Sequence, residues 1–280
     1  RSVAIGDSAE VPLVSPIQGN NTGDTIAIGY FTLSDASQCI SIGSQGVNGK
    51  RTNASQPNCI AIGQGANIKE RGFGTSDDSI VIGNMASTSG SVDAPSTAAS
   101  VVVGFEATVE SFNCVAVGRQ AKVTDGGSAF SVAIGNRAES KGEAGVAIGS
   151  FCITEQGNGV AIGDKCVTQD NAVAIGDTAL ASASSVAVGH EATATSTNTV
   201  AIGRLATASH GNSVALGERS ITTATSQVNL SDRHIEMDNV ATQLSPAAGS
   251  ARYYFRDNGG TQEFVVIFGN GTEKIIANSL

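Results

Sequence analysis

Apolar positions recur along this chain in one short phrase. Val3-Ala4-Ile5-Gly6, Ile26-Ala27-Ile28-Gly29, Ile60-Ala61-Ile62-Gly63 and Val214-Ala215-Leu216-Gly217 are four of its fourteen copies. The Gly stands at 6, 29, 43, 63, 83, 104, 118, 135, 149, 163, 176, 189, 203 and 217, so the basic period is 14, with insertions mostly in the first half. Such a period marks a repeat architecture rather than a globule. Three residues before the Gly there is always Val or Ile, and one before it Ile, Val or Leu. Side chains alternate along a strand, so these two positions share a face and read as the core rows.

The position between them then faces outward. It is Ala at Ala4, Ala27, Ala61, Ala116, Ala133, Ala147, Ala161, Ala174, Ala187, Ala201 and Ala215, and Ser41, Val81 or Val102 elsewhere. A solvent-facing row normally carries Lys, Glu or Thr. An uncharged ladder of small groups suits close packing against another chain, so these eleven alanines are the expected assembly interface. Three residues after the Gly a small side chain returns, as at Ala9, Ala66, Ala121 and Ala206, with Thr32, Gly46, Cys152, Cys166 and Ser220 in the same place. A second short strand and a polar turn follow. Two strands and two turns per coil predict parallel ladders, and fourteen coils at about 4.8 Å give a rod of roughly 65 Å.

Insertions fall within residues 7–131. They bring in Lys69, Glu70, Arg71, Phe73, Asp77 and Asp78, together with prolines and further charges. Loops that interrupt a solenoid carry binding more often than its regular coils, so these six residues are the candidate receptor loops. Residues 1–224 read as the repeat roll and 225–280 as a second, antiparallel β unit. In that unit 252–257, 261–268 and 272–278 read as strands, with Asn258-Gly259-Gly260 and Gly269-Asn270-Gly271 as hairpin turns. Its expected roles are to cap the roll, lock the assembly or touch a receptor.

Composition narrows the function. Trp is absent, aromatics are 4% and Gly numbers 34, which fits a thin core. The net charge of −9 argues against a nucleic-acid footprint. No apolar run reaches membrane-spanning length, so no direct membrane insertion is expected. Arg1 stands inside a repeat, so the chain reads as a piece of a longer one. Cys39, Cys59 and Cys114 precede the Gly by four residues, whereas Cys152 and Cys166 follow it by three, a register that makes them small fillers rather than metal ligands. Free thiols point to assembly in a reducing compartment. His190 and His210 occupy different places in their coils and are expected on the surface. No zinc, P-loop or nucleophile-elbow signature occurs. The chain is therefore read as non-enzymatic and without cofactor or metal. The spacing of 14 also excludes the hexad-built coil of left-handed β-helix acyltransferases, and the carboxylate-lined groove of a polysaccharide-degrading tailspike is missing.

The phrases Asn171-Ala172-Val173-Ala174-Ile175-Gly176, Asn198-Thr199-Val200-Ala201-Ile202-Gly203 and Asn212-Ser213-Val214-Ala215-Leu216-Gly217 resemble the head repeat of YadA-type trimeric autotransporter adhesins. The resemblance covers residues 1–224. It implies an all-β, left-handed parallel β-roll, three chains side by side and an adhesive role. The expected partners are two further copies of the chain and a host-surface protein or glycan. Viral and phage fibres use the same repeat. The free cysteines and the compact C-terminal unit tilt the expectation to a virion fibre, with a bacterial surface adhesin or a structural spacer as alternatives.

Overall fold

Each copy of the phrase forms one strand of a single parallel sheet, and each following short segment forms one strand of a second. The computed structural model describes residues 1–11, 24–46, 49–68, 78–88, 99–124, 129–230, 251–258, 261–268 and 270–278. The first sheet has fifteen strands, from Ser2–Ile5 to Val228–Asn229, and the second has twelve, from Thr32–Ser34 to Thr207–Ala208. The chain alternates between the two sheets, and like positions stack in register, Val146 on Val160, Val173 and Val186. The fold is thus an all-β parallel roll with a small antiparallel sheet after it, and no α-helix occurs among the described residues.

Backbone chemistry explains the phrase. Gly118 has φ +136°, and a Cβ placed on it would meet the carbonyl oxygen of Gly135 at 2.2 Å. The neighbouring coil leaves no room for any side chain there, and the dihedral is one that L-residues avoid. Five residues before the Gly the chain turns through the left-handed region. Asn113, Asn158, Asn171, Asn198 and Asn212 hold φ between 53° and 57° there, a conformation Asn accepts more readily than most residues.

The structure reverses the expected facing of the first sheet. Ala27, Ala61, Ala116, Ala133, Ala147, Ala161, Ala174, Ala187, Ala201 and Ala215 are all 0% exposed within one chain and line the interior of the roll. Only Ala4, on the end rung, is exposed. The Val and Ile rows face outward. The reason is thickness. The second sheet also turns small residues inward, among them Ala121, Ala138, Cys152, Cys166, Ala179 and Ala192. With mostly small groups on both sides, the sheets lie too close for continuous facing rows of Ile and Val, and dense packing is reached mainly with Ala, Ser, Cys and Thr, with Ile68, Val81, Val102, Val109 and Val123 as the larger members. The alanine row is therefore the core, and it cannot serve as the surface between chains.

Two further details differ from the sequence reading. The small-residue place in the coil of Gly43 is filled by Thr52, which is fully buried and pairs with Thr32, and not by Gly46. The insertion there lies before the second-sheet strand instead of after it. The roll also runs one rung beyond residue 224. Val228 stacks on Val214, and Asn229 takes the alanine place. By its internal contacts the chain divides into a unit of residues 1–231 and a unit of 232–280. In the second unit, Ala251–Asn258, Thr261–Phe268 and Glu273–Asn278 form an antiparallel sheet in that order. These strands lie within one residue of the sequence reading.

Candidate assembly face

The outer surface of the first sheet is two parallel rows of aliphatic side chains. One row runs from Val3 through Val146, Val160, Val173 and Val186 to Val214. The other runs from Ile5 through Ile134, Ile148, Ile162, Ile175 and Ile202 to Leu216. Neither row contains a polar or charged residue over fourteen rungs. Exposure in the single chain is 37% at Ile82, Ile134 and Ile175, 38% at Ile202 and 43% at Leu216, and most of the other members are partly exposed. Monomeric proteins seldom expose contiguous apolar patches beyond a few hundred Å². A strip about 65 Å long exceeds that scale.

Polar groups border the strip at the corner that follows each Gly. Arg204 pairs there with Glu218, and His190 Nε2 lies 3.5 Å from Asp177 and 3.6 Å from Glu191. Arg119 stacks over Phe105 at 5.8 Å and Arg137 over Phe151 at 5.5 Å. Arg137 Nε also donates to Gln120 Oε1 at 2.8 Å. Charge and ring contacts thus run along the corner, while the strip itself stays apolar. His190 is about half exposed, as expected. His210 is partly buried, its Nδ1 3.1 Å from the Thr222 carbonyl oxygen.

The cysteines do more than fill space. Cys152 Sγ donates to the Gly163 carbonyl at 3.1 Å, and Cys166 Sγ donates to that of Gly176 at 2.7 Å. In several of the coils where Ala stands instead, its own N–H closes the corner, as Ala206 does onto Gly203 at 3.2 Å. The two thiol coils have first-sheet strands of five residues, Val146–Ser150 and Val160–Asp164, as does the Ala179 coil at Val173–Asp177, against three at Val200–Ile202. The interaction between the two stacked thiols lowers Cys152 to about 7 and pushes Cys166 up. Burial raises the Cys114 thiol. All five cysteines are buried and free.

Of the six candidate receptor-loop residues, Lys69, Glu70, Arg71, Phe73 and Asp77 lie outside the described residues. Asp78 is exposed in the left-handed turn at φ 60°, and its N–H donates to the Pro57 carbonyl at 3.3 Å. The sequence reading did not foresee that the aliphatic rows form the surface, nor the Arg–Phe stacks, of which Arg51 over Phe31 at 5.4 Å is a third. The stacks of Arg119 and Arg137 join residues one coil apart at equal offsets from the Gly, so aligning the chain by coils displays both pairs.

A parallel roll of stacked two-strand coils belongs to the class of β-solenoids. The family model for the YadA head domain repeat matches residues 129–151, 168–192, 183–206 and 194–220. That part of the chain belongs to the family, and the roll carries a YadA-like head segment. Among solved structures, the collagen-binding domain of the Yersinia adhesin YadA is similar at 30% identity, with 58% of this chain and 76% of that one covered and a TM-score of 0.38. No curated protein sequence matches the chain.

Proposed function

We propose that this chain is the head of a trimeric, surface-displayed adhesin that binds a host-surface protein or glycan and catalyses no reaction. The observation that carries the reading is the uninterrupted outward strip of Val and Ile on a segment that matches the YadA head repeat. Covering a partly exposed Ile removes on the order of 50 Å² from water, about 1 kcal/mol at roughly 25 cal/mol per Å². Summed along both rows this favours obligate assembly. A closed three-fold ring covers every strip equally, with the left-handed winding and the number three taken from the YadA-like repeat. The second sheets then face solvent.

The candidate receptor loops around Lys69–Asp78 remain part of the proposal. Four of the five insertions, at 12–23, 69–77, 89–98 and 125–128, fall between a second-sheet segment and the next first-sheet strand. They therefore interrupt their coils between equivalent segments of the repeat. Binding of the purified protein to cultured host cells and to matrix-coated surfaces tests the adhesive role. Adhesion that is lost when 69–77 and 89–98 are trimmed to regular coils supports it. A protein that binds no surface is a spacer.

A second reading, an attachment fibre of a virion, is favoured by the five unbridged, buried thiols, which suit assembly in a reducing compartment. Both readings share the assembly and the adhesive role and differ in what displays the head.

A further inference from the structure

We propose that the C-terminal three-stranded sheets of the assembled chains join edge to edge, with Glu273–Asn278 of one protomer pairing with Ala251–Asn258 of the next. The inference rests on the trimer reading and extends it to a unit outside the matched repeat.

The sheet has two long open edges. Ala251–Asn258 has eight residues and Glu273–Asn278 six, and each pairs only with the middle strand Thr261–Phe268 among the described residues. An open edge presents a row of unpaired N–H and C=O groups, and soluble proteins commonly shorten, charge or cover such strands. Here each edge strand sets large apolar residues among its charged ones. Ile275 is 47% exposed and Ile276 51%, and on the opposite edge Tyr253 is 57% exposed. The backbone is also bent. The register shifts at Phe264 and Val265, where Phe264 pairs with Ala277 and Val265 with Ile275, so Ile276 is an extra residue in the outer strand. Such bulges add twist and curvature, which a sheet needs in order to close on itself.

Direction completes the argument. Three alternating strands leave both edges running the same way. A rotation axis along the strands therefore brings the outer strand of one copy beside the first strand of the next as a parallel pair. This contact is head-to-tail, and three-fold rotation closes it into a ring of nine strands with no edge left open. A two-fold contact between outer strands would close only two copies.

Paired cysteines test this in the full chain. Within one protomer the edge strands are separated by the middle strand, roughly 9–10 Å apart, beyond disulfide reach. Any bridge between them must join two protomers. The native thiols are buried and give little background. Tyr253→Cys is combined in turn with Lys274→Cys, Ile275→Cys and Ile276→Cys, oxidised mildly with oxidised glutathione, and run on a non-reducing denaturing gel beside sedimentation of the same samples. At least one register is expected to give covalent trimers, and the single variants Tyr253→Cys and Ile275→Cys, run alongside, no covalent product. Protein that sediments as a trimer but gives no covalent trimer in any register overturns the edge pairing and leaves the trimer intact. Covalent dimers from Ile275→Cys alone overturn it in favour of the two-fold contact. Protein that sediments as a monomer overturns the trimer reading and this proposal with it.

Discussion

Gly159 and Thr168 face each other across the interior of the roll, and a Cβ placed on Gly159 would stand 2.5 Å from Thr168 Oγ1. Gly145 meets Thr154 Oγ1 at the same distance one coil earlier. Where the second sheet offers Ala instead, at Ala194 and Ala208, the first sheet carries Ser185 and Thr199. In these four coils volume is thus traded across the core. Gly159→Ala is expected to destabilise the roll by about 1–3 kcal/mol through overpacking. Thr168→Ala in the same chain is expected to recover most of that loss, because Thr168 Oγ1 is buried without a hydrogen-bond partner among the described residues. Thermal melting of the two single variants and the double at one protein concentration reads the coupling. Additive losses would show that the two positions do not share the space.

Thr178 sits two residues after Gly176 with φ 53°, a left-handed conformation that a β-branched side chain adopts at a cost. It is exposed, so little packing is at stake. Thr178→Asn is expected to stabilise the protein by about 1 kcal/mol. A fall in melting temperature would mean that the hydroxyl's 2.7 Å bond to the Asp177 carbonyl outweighs the strain.

All five thiols are buried and free. In the native protein, maleimide is expected to modify none of them within minutes, and in denaturant all five. The comparison is read by intact mass. Rapid native labelling of Cys152 or Cys166 would show that their corners open in solution.

The strands, their parallel stacking, the strict Gly and the C-terminal hairpins were legible in the sequence, because each follows from local chemistry repeated at a fixed spacing. The facing of Val-Ala-Ile was not. Alternation says that Ala174 opposes Val173 and Ile175, but not which side is inside, and the expectation that larger residues go inward assumes a thick core. The correcting signal lay two residues upstream. Cys114, Ser131, Gly145, Gly159 and Ser185 share a face with the alanines, and all are small. Two small rows on one face, opposed by small rows from the second sheet, admit only a thin core. The rung at Val228 was hidden because no Gly follows it. The place of Thr52 was hidden because the insertion after Gly43 precedes the second-sheet strand, which counting from the Gly does not reveal.

The central claim is that the aliphatic strip joins the chains and the alanine row fills each one. Sedimentation equilibrium on the parent, on Ile175→Glu with Ile202→Glu, and on Ala174→Glu tests it most directly. The parent is expected at three times the chain mass of 28.1 kDa. The double glutamate variant is expected to keep its β spectrum and sediment as a single chain, since both side chains already reach solvent in the monomer, at 37% and 38% exposure. Ala174→Glu, which buries an unpaired charge inside the roll, is expected to lose the β spectrum altogether. A monomeric parent, or a double glutamate variant that remains a trimer, would contradict the account.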